Sequence, residues 1–337
     1  MNQKSILITG GTGSLGKSLA KHILLKHNPR KLIIFSRDEL KQFQMQNEDI
    51  FSERSDIMRF FIGDVRDKSR LLFALREVDY VVHAAALKQV PATEYNPFEA
   101  VKTNIIGAQN IIEASLECKV SKVIALSTDK AAAPINLYGA TKLTSDKLFL
   151  AGNYYKGARD IKFSVVRYGN VLGSRGSVVP FFLSKTKDEY IPITDKKMTR
   201  FSITLNEAVK FVTNSLMIMK GGEMFIPKIP SYRIADLAKA ILPRSKFKIV
   251  GIRPGEKLHE EMLTTGDSMN TIEFKDKYVM FSRTDMIDKY DAIPKNTFVR
   301  CTENFSYNSR DNEHFLSQEE LRNLIITNVP GAKEVLK

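Results

Sequence analysis

The sequence predicts an α/β fold, a doubly wound parallel sheet followed by a smaller C-terminal lobe. Three observations predict it. Short apolar runs alternate with helix-length segments through the first half of the chain, and strands that alternate with helices form parallel sheets. The first apolar run leads into a glycine-rich turn, Thr9–Gly16, at the start of a helix. Beyond residue 170 the apolar runs become less regular, which indicates a second, smaller unit.

Composition limits the class of protein. The chain has 337 residues, 43% hydrophobic and 26% charged, which allows about two globular domains. The net charge of +13 is spread without a basic block, so we expect an anionic small ligand rather than nucleic acid. Two distant cysteines, Cys118 and Cys301, argue against disulfides and cysteine-ligated metal. The first strand begins near Ser5 and no long apolar run occurs, so we expect no signal peptide, no membrane partner and a cytoplasmic location.

The first strand and helix carry a phosphate-binding pattern. Ser5–Thr9 predicts a buried strand and Lys17–Leu25 an amphipathic helix. Between them, Gly10 and Gly13 allow a tight turn beside a pyrophosphate, and Gly16 lets the helix pack closely on the strand. Amides at the helix N-terminus favour the negative charge, which predicts a dinucleotide site. The expected contacts are Gly10, Thr12, Gly13, Ser14, Leu15 and Gly16.

The end of the second strand, Leu32–Phe35, bears on which dinucleotide binds. An NAD site places a carboxylate here for the ribose hydroxyls, whereas a small hydroxyl and cations suit the 2′-phosphate of NADP. The chain has Ser36, Arg37, Asp38 and Lys41 at this point, so we favour NADP and expect all four to contact it. Asp38 leaves NAD open, and it could instead simply cap the following helix.

Two more strands extend the cofactor site. Met58–Ile62 leads to Asp64 and Val65, and Tyr80–Ala84 leads into a loop of small residues that can pass under a cofactor. We expect Asp64, Val65 and Ala84 to line the site, since ligands bind at the carboxyl ends of parallel strands.

The loop and helix after this strand add three polar residues. Lys88 lies in the loop, where a cation suits a phosphate or sugar oxygen. Asn104 lies on a long helix that begins near Pro97. His83, inside an apolar strand, is more often a packed core residue than a ligand.

The strongest chemical signal follows the strand Lys122–Leu126. This strand ends in Thr128, Asp129 and Lys130, three adjacent polar side chains at the expected ligand edge of the sheet. In isolation, the last two could be a surface ion pair.

A tyrosine and a lysine on the next helix complete this region. Tyr138 and Lys142 are four residues apart and share one helix face. An ammonium beside a phenol stabilises the phenolate, so the pair favours Tyr138 as a base if both side chains face a cleft.

The remainder predicts a lobe interleaved with the sheet. The strand Lys162–Arg167 runs into a polar, glycine-rich loop, 168–180. Arg200 and Arg253 lie in cationic loops, and an arginine fixed by a Pro-Gly turn suits bidentate diphosphate binding. Residues 270–337 carry no chemistry that we can assign. Further strands are expected at 191–193, 224–226 and 248–250, and helices at 205–219 and 234–242.

Over roughly its first 270 residues the chain resembles the extended short-chain dehydrogenases/reductases. The resemblance implies an NADP-binding Rossmann domain over 1–170, able to take in later strands, and a substrate-binding lobe with a C-terminal extension over 171–337. It also implies a homo-oligomer, a dimer or a hexamer. The motifs that carry it are Thr9–Gly16, Asp64-Val65, Asn104, Thr128 and the pair Tyr138/Lys142.

Narrower motifs resemble the inverting UDP-N-acetylglucosamine 4,6-dehydratases of pseudaminic acid biosynthesis. The resemblance implies a lyase that holds and recycles NADP and supplies UDP-2-acetamido-2,6-dideoxy-β-L-arabino-hex-4-ulose for glycans such as those of flagellin. The motifs are Ser36–Gln42, Ala84–Lys88, Ser127–Ala131, Arg167–Asn170, Gly173–Pro180 and Gly251–His259. The implied UDP-sugar contacts are Lys88, Asn170, Val178, Thr194, Arg200, Arg253 and Glu256.

The resemblance also implies the catalytic roles. Tyr138 would take the proton of the sugar 4-hydroxyl, with Thr128 sharing the hydrogen bond and Lys142 holding the nicotinamide ribose. Related dehydratases that retain the C5 configuration carry Asp-Glu after the threonine, whereas this chain has Asp129 and Lys130. Lys130 would then remove the C5 proton and Asp129 would protonate the departing 6-hydroxyl. Lys130 must be neutral to act, which requires burial and neighbouring positive charge.

Three other functions fit part of the pattern. A UDP-sugar 4-epimerase shares nearly every binding residue but has no use for Lys130. A non-catalytic NADP-binding protein conflicts with the intact Tyr138, Lys142 and Thr128. A nucleic-acid binder driven by charge would bind oligonucleotides in a salt-sensitive way.

Overall fold

A computed structural model of the chain describes residues 1–174, 176–185, 190–288, 290 and 297–336. Arg175, in the predicted polar loop, lies outside the described residues. The strands are β1 (Ser5–Thr9), β2 (Lys31–Ser36), β3 (Met58–Ile62), β4 (Tyr80–His83), β5 (Lys122–Thr128), β6 (Lys162–Tyr168), β7 (Asn170–Val171), β8 (Tyr190–Ile193), β9 (Thr199–Ile203), β10 (Glu223–Pro227), β11 (Ser231–Arg233), β12 (Lys246–Ile249), β13 (Glu261–Leu263), β14 (Thr271–Glu273), β15 (Lys277–Phe281), β16 (Val299–Arg300) and β17 (Tyr307–Asn308).

The helices lie between these strands and in the C-terminal part. They are α1 (Ser14–Lys26), α2 (Glu39–Gln46), α3 (Asp49–Ser52), α4 (Lys68–Ala74), α5 (Val90–Tyr95), α6 (Pro97–Val101), α7 (Gly107–Glu117), α8 (Leu137–Tyr155), α9 (Val178–Leu183), α10 (Leu205–Ile218), α11 (Ile234–Ile241), α12 (Asp285–Asp288), α13 (Gln318–Asn328) and α14 (Ala332–Val335). A π-helical turn, Lys102–Ile106, joins α6 to α7, and a short 3₁₀ helix, Asp129–Ala131, follows β5.

The main sheet confirms the predicted doubly wound α/β fold. Ten of the described strands form it, in the order β16-β14-β15-β10-β6-β5-β4-β1-β2-β3. The strands from β10 to β3 are parallel to their neighbours, and the chain order reverses between β1 and β4. That reversal opens a crevice at the carboxyl ends of the strands, where ligands bind in such sheets.

Later residues complete this sheet. β10 pairs in parallel with β6, so a strand beyond residue 170 belongs to this sheet. β14 and β15 then add an antiparallel edge that the sequence analysis missed, because a strand as short as Thr271–Glu273 shows no clear alternation.

Two groups of buried apolar side chains form the interior. The larger group packs on both faces of the main sheet. The smaller joins side chains of β8, α9, α11 and α13, all of them beyond residue 170. A boundary at residue 170 between two domains stays a prediction. None of the helices in the described parts of the chain is both long and apolar enough to cross a membrane.

Candidate active site

A cavity of about 660 Å³ lies at the carboxyl ends of the parallel strands. It is lined by the glycine-rich turn, the ends of β2 to β6 and the start of α8. The structure places every predicted cofactor contact on its wall except Asn104. Five side chains with predicted chemical or sugar-binding roles line it: Lys88, Thr128, Lys130, Tyr138 and Asn170.

The glycine-rich turn leaves room for a ligand by excluding side chains. Gly10 has φ +63°, and a Cβ atom there would lie 2.9 Å from the amide nitrogen of Ala85. A Cβ on Gly16 would lie 2.6 Å from the carbonyl oxygen of Gly10. Gly13 is the N-cap of α1 and has no side chain to cap it, so the first-turn amides face the cavity and suit a phosphate.

The polar residues after β2 line the cavity and also bind one another. Asp38 caps α2 by accepting a hydrogen bond from the backbone nitrogen of Lys41, and it pairs with the Lys41 ammonium. Arg37 lies 3.7 Å from Asp64, measured from Nη1 to Oδ2. Asp38 therefore does cap the helix, as the alternative interpretation stated, while remaining on the cavity wall.

The amide of Asn104 holds the loop after β4 from behind. Its Nδ2 atom donates to the carbonyl oxygen of Leu87 at 2.9 Å and to Oγ1 of Thr141 at 3.0 Å, and its Oδ1 atom accepts from the Leu87 amide at 2.8 Å. The side chain is buried and does not line the cavity, and its contact with the cofactor stays a prediction. Next to it, Lys88 lines the cavity, and burial lowers the pKa of its ammonium.

Helix α8 brings Tyr138 and Lys142 to the cavity. The Asn136 side chain caps the helix by accepting from the amide of Gly139 at 2.8 Å. Burial raises the pKa of Tyr138 to about 12, although Lys130 and a hydrogen bond from Thr128 act in the opposite direction. The expected lowering of the Tyr138 pKa is therefore absent from the protein alone.

Burial lowers the pKa of the Lys142 ammonium, and the carboxylate of Asp146, one helical turn further along α8, opposes this effect. Lys142 is 3% exposed and lines the cavity. Its position suits contact with a bound ligand rather than with solvent.

Asp129 and Lys130 form a buried ion pair at the end of β5. Nζ of Lys130 lies 3.0 Å from Oδ1 of Asp129, 3.2 Å from Oε1 of Glu260 and 3.4 Å from Oδ1 of Asn170. Asp129 itself is fully buried and does not line the cavity, and burial raises the pKa of its carboxyl in spite of Lys130. Oγ1 of Thr128 donates to Asp129 at 2.9 Å.

The surroundings of Lys130 differ from those expected. Burial alone would lower the pKa of its ammonium, but Asp129 and Glu260 together raise that pKa above its ordinary value. The expected positive charge is present, from Arg200 and Lys257, but the two carboxylates that face the amine outweigh its effect. Lys130 is therefore charged in the protein alone.

Arg200 is a correction to the predicted substrate contacts. Its guanidinium donates to the carbonyl oxygens of Thr199, Lys257 and Leu258 at 2.7 to 3.2 Å. Only 6% of its side chain is exposed, and it does not line the cavity. These backbone bonds use three of the five guanidinium N–H groups, and the others face Glu256 and Glu260 at 3.5 and 3.6 Å, so the guanidinium is not available for a bidentate diphosphate contact.

Four other predicted substrate contacts lie on the C-terminal lobe outside the cavity wall: Val178, Thr194, Arg253 and Glu256. Arg253 and Glu256 form a two-point ion pair, with N–O distances of 3.1 and 3.0 Å. The Arg253 side chain is 70% exposed, so it remains accessible to a ligand. Their roles in substrate binding stay predictions.

Sequence reasoning missed Glu260. It directly follows the motif Gly251–His259, and a single glutamate before a short strand carries no periodic signal. Only the fold brings it to Lys130, 130 positions earlier in the chain. Ser174 and Ser177, which also line the cavity, belong to the polar loop that was predicted as a whole.

The fold and this site together define an extended short-chain dehydrogenase/reductase. A glycine-rich turn opens the sheet, and a threonine at the end of β5 faces a Tyr-x-x-x-Lys pair on α8. Residues 6–282 match the family described as polysaccharide biosynthesis protein, and the chain belongs to that family.

Individual relatives cover the whole chain. A Campylobacter jejuni protein named UDP-N-acetylglucosamine 4,6-dehydratase (inverting) is 53% identical over 96% of this chain and 98% of its own. A UDP-glucose 4-epimerase of Rickettsia canadensis is 36% identical over 96% of both chains. The X-ray structure of Pen from Bacillus thuringiensis is 39% identical and superimposes with a TM-score of 0.87 over 99% of both chains.

Proposed function

We propose that this protein is a UDP-N-acetylglucosamine 4,6-dehydratase that inverts the configuration at C5. The observation that carries the proposal is the ion pair of Asp129 and Lys130 at the end of β5, in which Asp129 is buried and Lys130 lies on the cavity wall with Thr128 and Tyr138. An acid and an amine at this position suit removal of water from C5 and C6. The 53% identical relative that bears this name supports the same substrate.

The cavity fits a nicotinamide dinucleotide, and we propose NADP. The side-chain-free turn at Gly10 and Gly16 and the open N-terminus of α1 suit its pyrophosphate. Ser36, Arg37 and Lys41 on the adjacent wall suit a 2′-phosphate. When bound, the cofactor accepts a hydride from the sugar and later returns it.

Tyr138 handles the proton of the sugar 4-hydroxyl. Its phenol must become a phenolate to accept that proton, and Thr128 stabilises the phenolate when its hydroxyl proton turns from Asp129 to Tyr138. Lys142, whose ammonium reaches the cavity from the same helix face, adds positive charge to the site. Oxidation at C4 then gives a ketone, which acidifies the neighbouring C5 hydrogen.

Lys130 and Asp129 carry out the elimination. The neutral amine of Lys130 takes the C5 proton, and the electron pair of the C5–H bond forms the C5–C6 double bond as the C6–O bond breaks. Asp129 gives its proton to the departing hydroxyl, which leaves as water. The raised pKa of the Asp129 carboxyl favours transfer of a proton to it from the Lys130 ammonium, which gives both the acid and the neutral amine that these steps need. Addition of the returned hydride to C6 and of a proton to C5 from the opposite face then gives the 6-methyl group and inverts C5.

The overall reaction is loss of water, so the enzyme class is lyase. The product is UDP-2-acetamido-2,6-dideoxy-β-L-arabino-hex-4-ulose, and we propose that it enters pseudaminic acid synthesis and flagellin glycosylation. We further propose a cytoplasmic homo-oligomer, a dimer or a hexamer. Tyr95 and Phe98, which are 87% and 62% exposed, are apolar surface that a second subunit could cover.

Proton NMR in deuterated water tests the proposal. We expect purified protein with NADP and UDP-N-acetylglucosamine to produce a 6-methyl signal, deuterium at C5 and couplings of an L-configured ring. Lys130→Ala should abolish this conversion, because general acid–base groups contribute about 10²- to 10⁴-fold each. A methyl product with unchanged D-configuration would contradict the inversion.

A UDP-sugar 4-epimerase is the second candidate, and the 36% identical relative of that name favours it. An epimerase needs Tyr138 and Lys142 but no elimination at C5. The same NMR spectrum would then show the galacto epimer, no methyl group and no deuterium at C5, and Lys130→Ala would retain activity.

A further inference from the structure

Two buried carboxylates share one ammonium in the active site. Lys130 contacts both Asp129 and Glu260, whose side chains are only 1% and 3% exposed. The dehydration proposed above uses Asp129 but assigns nothing to Glu260. A buried carboxylate is costly unless it is paired, so the placement of Glu260 needs a reason.

Within the described parts of the chain, only one of the two carboxylate oxygens of Glu260 has a polar partner. Its Oε1 atom is 3.2 Å from the Lys130 ammonium and 3.6 Å from Nε of Arg200. Its Oε2 atom is buried without a hydrogen-bond partner among the described residues. Stability alone therefore gives a poor account of this carboxylate, since an apolar residue would avoid the unpaired oxygen.

The C-terminal segment fixes the backbone of Glu260. Its amide donates to Oγ of Ser309 at 2.9 Å, and the amide of Ser309 donates to the carbonyl oxygen of Glu260 at 2.8 Å. Oγ of Ser309 also lies 2.7 Å from Oγ1 of Thr199, on β9. Glu260 is thus held from both sides, so its carboxylate has a defined position beside Lys130.

Several charged or titratable groups face this pair. Glu260 faces Lys130, Arg200 and Lys257. Burial raises the pKa of its carboxyl, but these three cations, Lys130 and Arg200 above all, lower that pKa below its ordinary value. Lys130 faces Asp129, Glu260 and Arg200. Two phenols, Tyr138 and Tyr232, also lie within electrostatic reach of Lys130.

We propose that Glu260 is a positioning residue that holds the Lys130 ammonium in a resting place beside Asp129 and releases it when Lys130 turns to the sugar. This rests on the dehydratase function proposed above. Lys130 is 24% exposed and lines the cavity, so its flexible chain can leave the pair. Arg200 stays beside Glu260 and compensates its charge. The Lys130 ammonium gives one proton to the Asp129 carboxylate, and the resulting amine takes the C5 proton.

Competitive amine labelling of the protein without sugar tests the ion pair directly. Acetic anhydride modifies only neutral amines, and mass spectrometry of the Lys130 peptide gives the pH of half-reaction. We expect Glu260→Gln to lower that pH by one unit or more, a tenfold gain in neutral amine at a given pH. Glu261→Gln, a half-buried neighbour whose charge interacts with Lys257 and Asp267, should leave it unchanged.

An unchanged labelling pH in Glu260→Gln would overturn the proposal, as would an equal shift in Glu261→Gln. If Glu260→Gln does not fold, Glu260→Asp replaces it. The shorter side chain lengthens the ion pair and should produce a smaller shift in the same direction. No shift in that folded variant would count equally against the proposal.

The pH profile of C5 deuterium exchange tests the link to catalysis. Exchange depends on the neutral amine of Lys130, so the exchange rate should rise with pH. In Glu260→Gln this rise should move to lower pH by the same amount as the pH of half-reaction in the labelling experiment. A purely structural role would reduce the rate equally at every pH, and that result would overturn the inference while leaving the dehydratase intact. A wild-type protein that forms no 6-methyl product would instead refute the proposed function, and labelling would still report on the ion pair.

Discussion

His83 shows how a single polar residue is accommodated in the core of the sheet. It is 1% exposed, and its ring lies 5.4 Å from that of Phe149 on α8. Oγ1 of Thr9 accepts from the amides of Ala84 and Ala85, so its own proton goes to Nδ1 of His83, 2.9 Å away. The imidazole is therefore neutral with its hydrogen on Nε2, which confirms the expectation of a packed core residue.

This burial predicts sensitivity to acid. Burial, with a smaller effect of Lys142, lowers the pKa of His83 from 6.5 to about 3. Between these values the unfolded chain binds a proton that the folded chain does not, so stability falls as pH decreases from about 6.5 and the loss is complete near 3. At pH 5 the expected contribution is a loss of about 2 kcal/mol.

Urea unfolding at pH 7 and pH 5 measures this effect. His83→Gln keeps a polar side chain that does not titrate, so the difference in unfolding free energy between the two pH values should shrink by about 2 kcal/mol. An identical pH dependence in the wild type and the variant would show that His83 is not the group responsible.

At the scale of elements, the π-helical turn Lys102–Ile106 connects the two halves of the active site. It presents Asn104 to the loop that carries Lys88 and to Thr141, which lies on α8 between Tyr138 and Lys142. One buried amide therefore sets the distance between a cavity loop and the catalytic helix. Such turns inside α-helices occur often at functional sites.

Asn104→Ala should damage activity more than stability. The substitution removes the hydrogen bonds of Asn104 to the amide and carbonyl groups of Leu87. Their loss should lower the free energy of unfolding by about 1–3 kcal/mol. Since a misplacement of about 1 Å costs roughly 10²-fold in rate, kcat/KM should fall at least tenfold.

Asn153→Ala is the matched control for this variant. The Asn153 side chain makes the same pattern of hydrogen bonds. It donates to the carbonyl oxygens of Leu150 and Phe163 and accepts from the Phe163 amide, but it does not line the cavity. It should lose similar stability and keep its kcat/KM. Equal losses of kcat/KM in both variants would contradict the positioning role of Asn104.

The sequence was informative about elements because their signals are local. The run Ser5–Thr9, the glycines after it and the spacing of Tyr138 and Lys142 each predict structure within one or two turns of chain. The charge state of Lys130 could not be predicted in this way. It depends on Asp129 and also on Glu260, and Glu260 meets Lys130 only through the packing of β13 and the C-terminal segment.

At the scale of the whole molecule, the C-terminal residues without assigned chemistry are structural. α13 packs against α11 and supplies Leu321 and Ile325 to the smaller core. β17 pairs with β13, directly after Glu260. The last part of the chain therefore supports both the lobe and the active site.

Leu321→Ala tests whether α13 is an integral part of the fold. The side chain is fully buried, so its removal should lower the free energy of unfolding by about 2–5 kcal/mol, measured with urea and circular dichroism. Asn323→Ala, exposed on the same helix, should change it by less than about 0.5 kcal/mol. A Leu321→Ala variant as stable as the wild type would show that the helix is dispensable.

The most direct test of the proposed chemistry follows the hydrogen at C4. UDP-N-acetylglucosamine with deuterium at C4 is incubated with the protein and NADP in ordinary water, and the product is analysed by NMR and mass spectrometry. Because the hydride is recycled, we predict that the deuterium moves to the C6 methyl group, with one deuterium per product and no accumulation of reduced cofactor. Deuterium that remains at C4, or that is found in free reduced cofactor, would contradict the account.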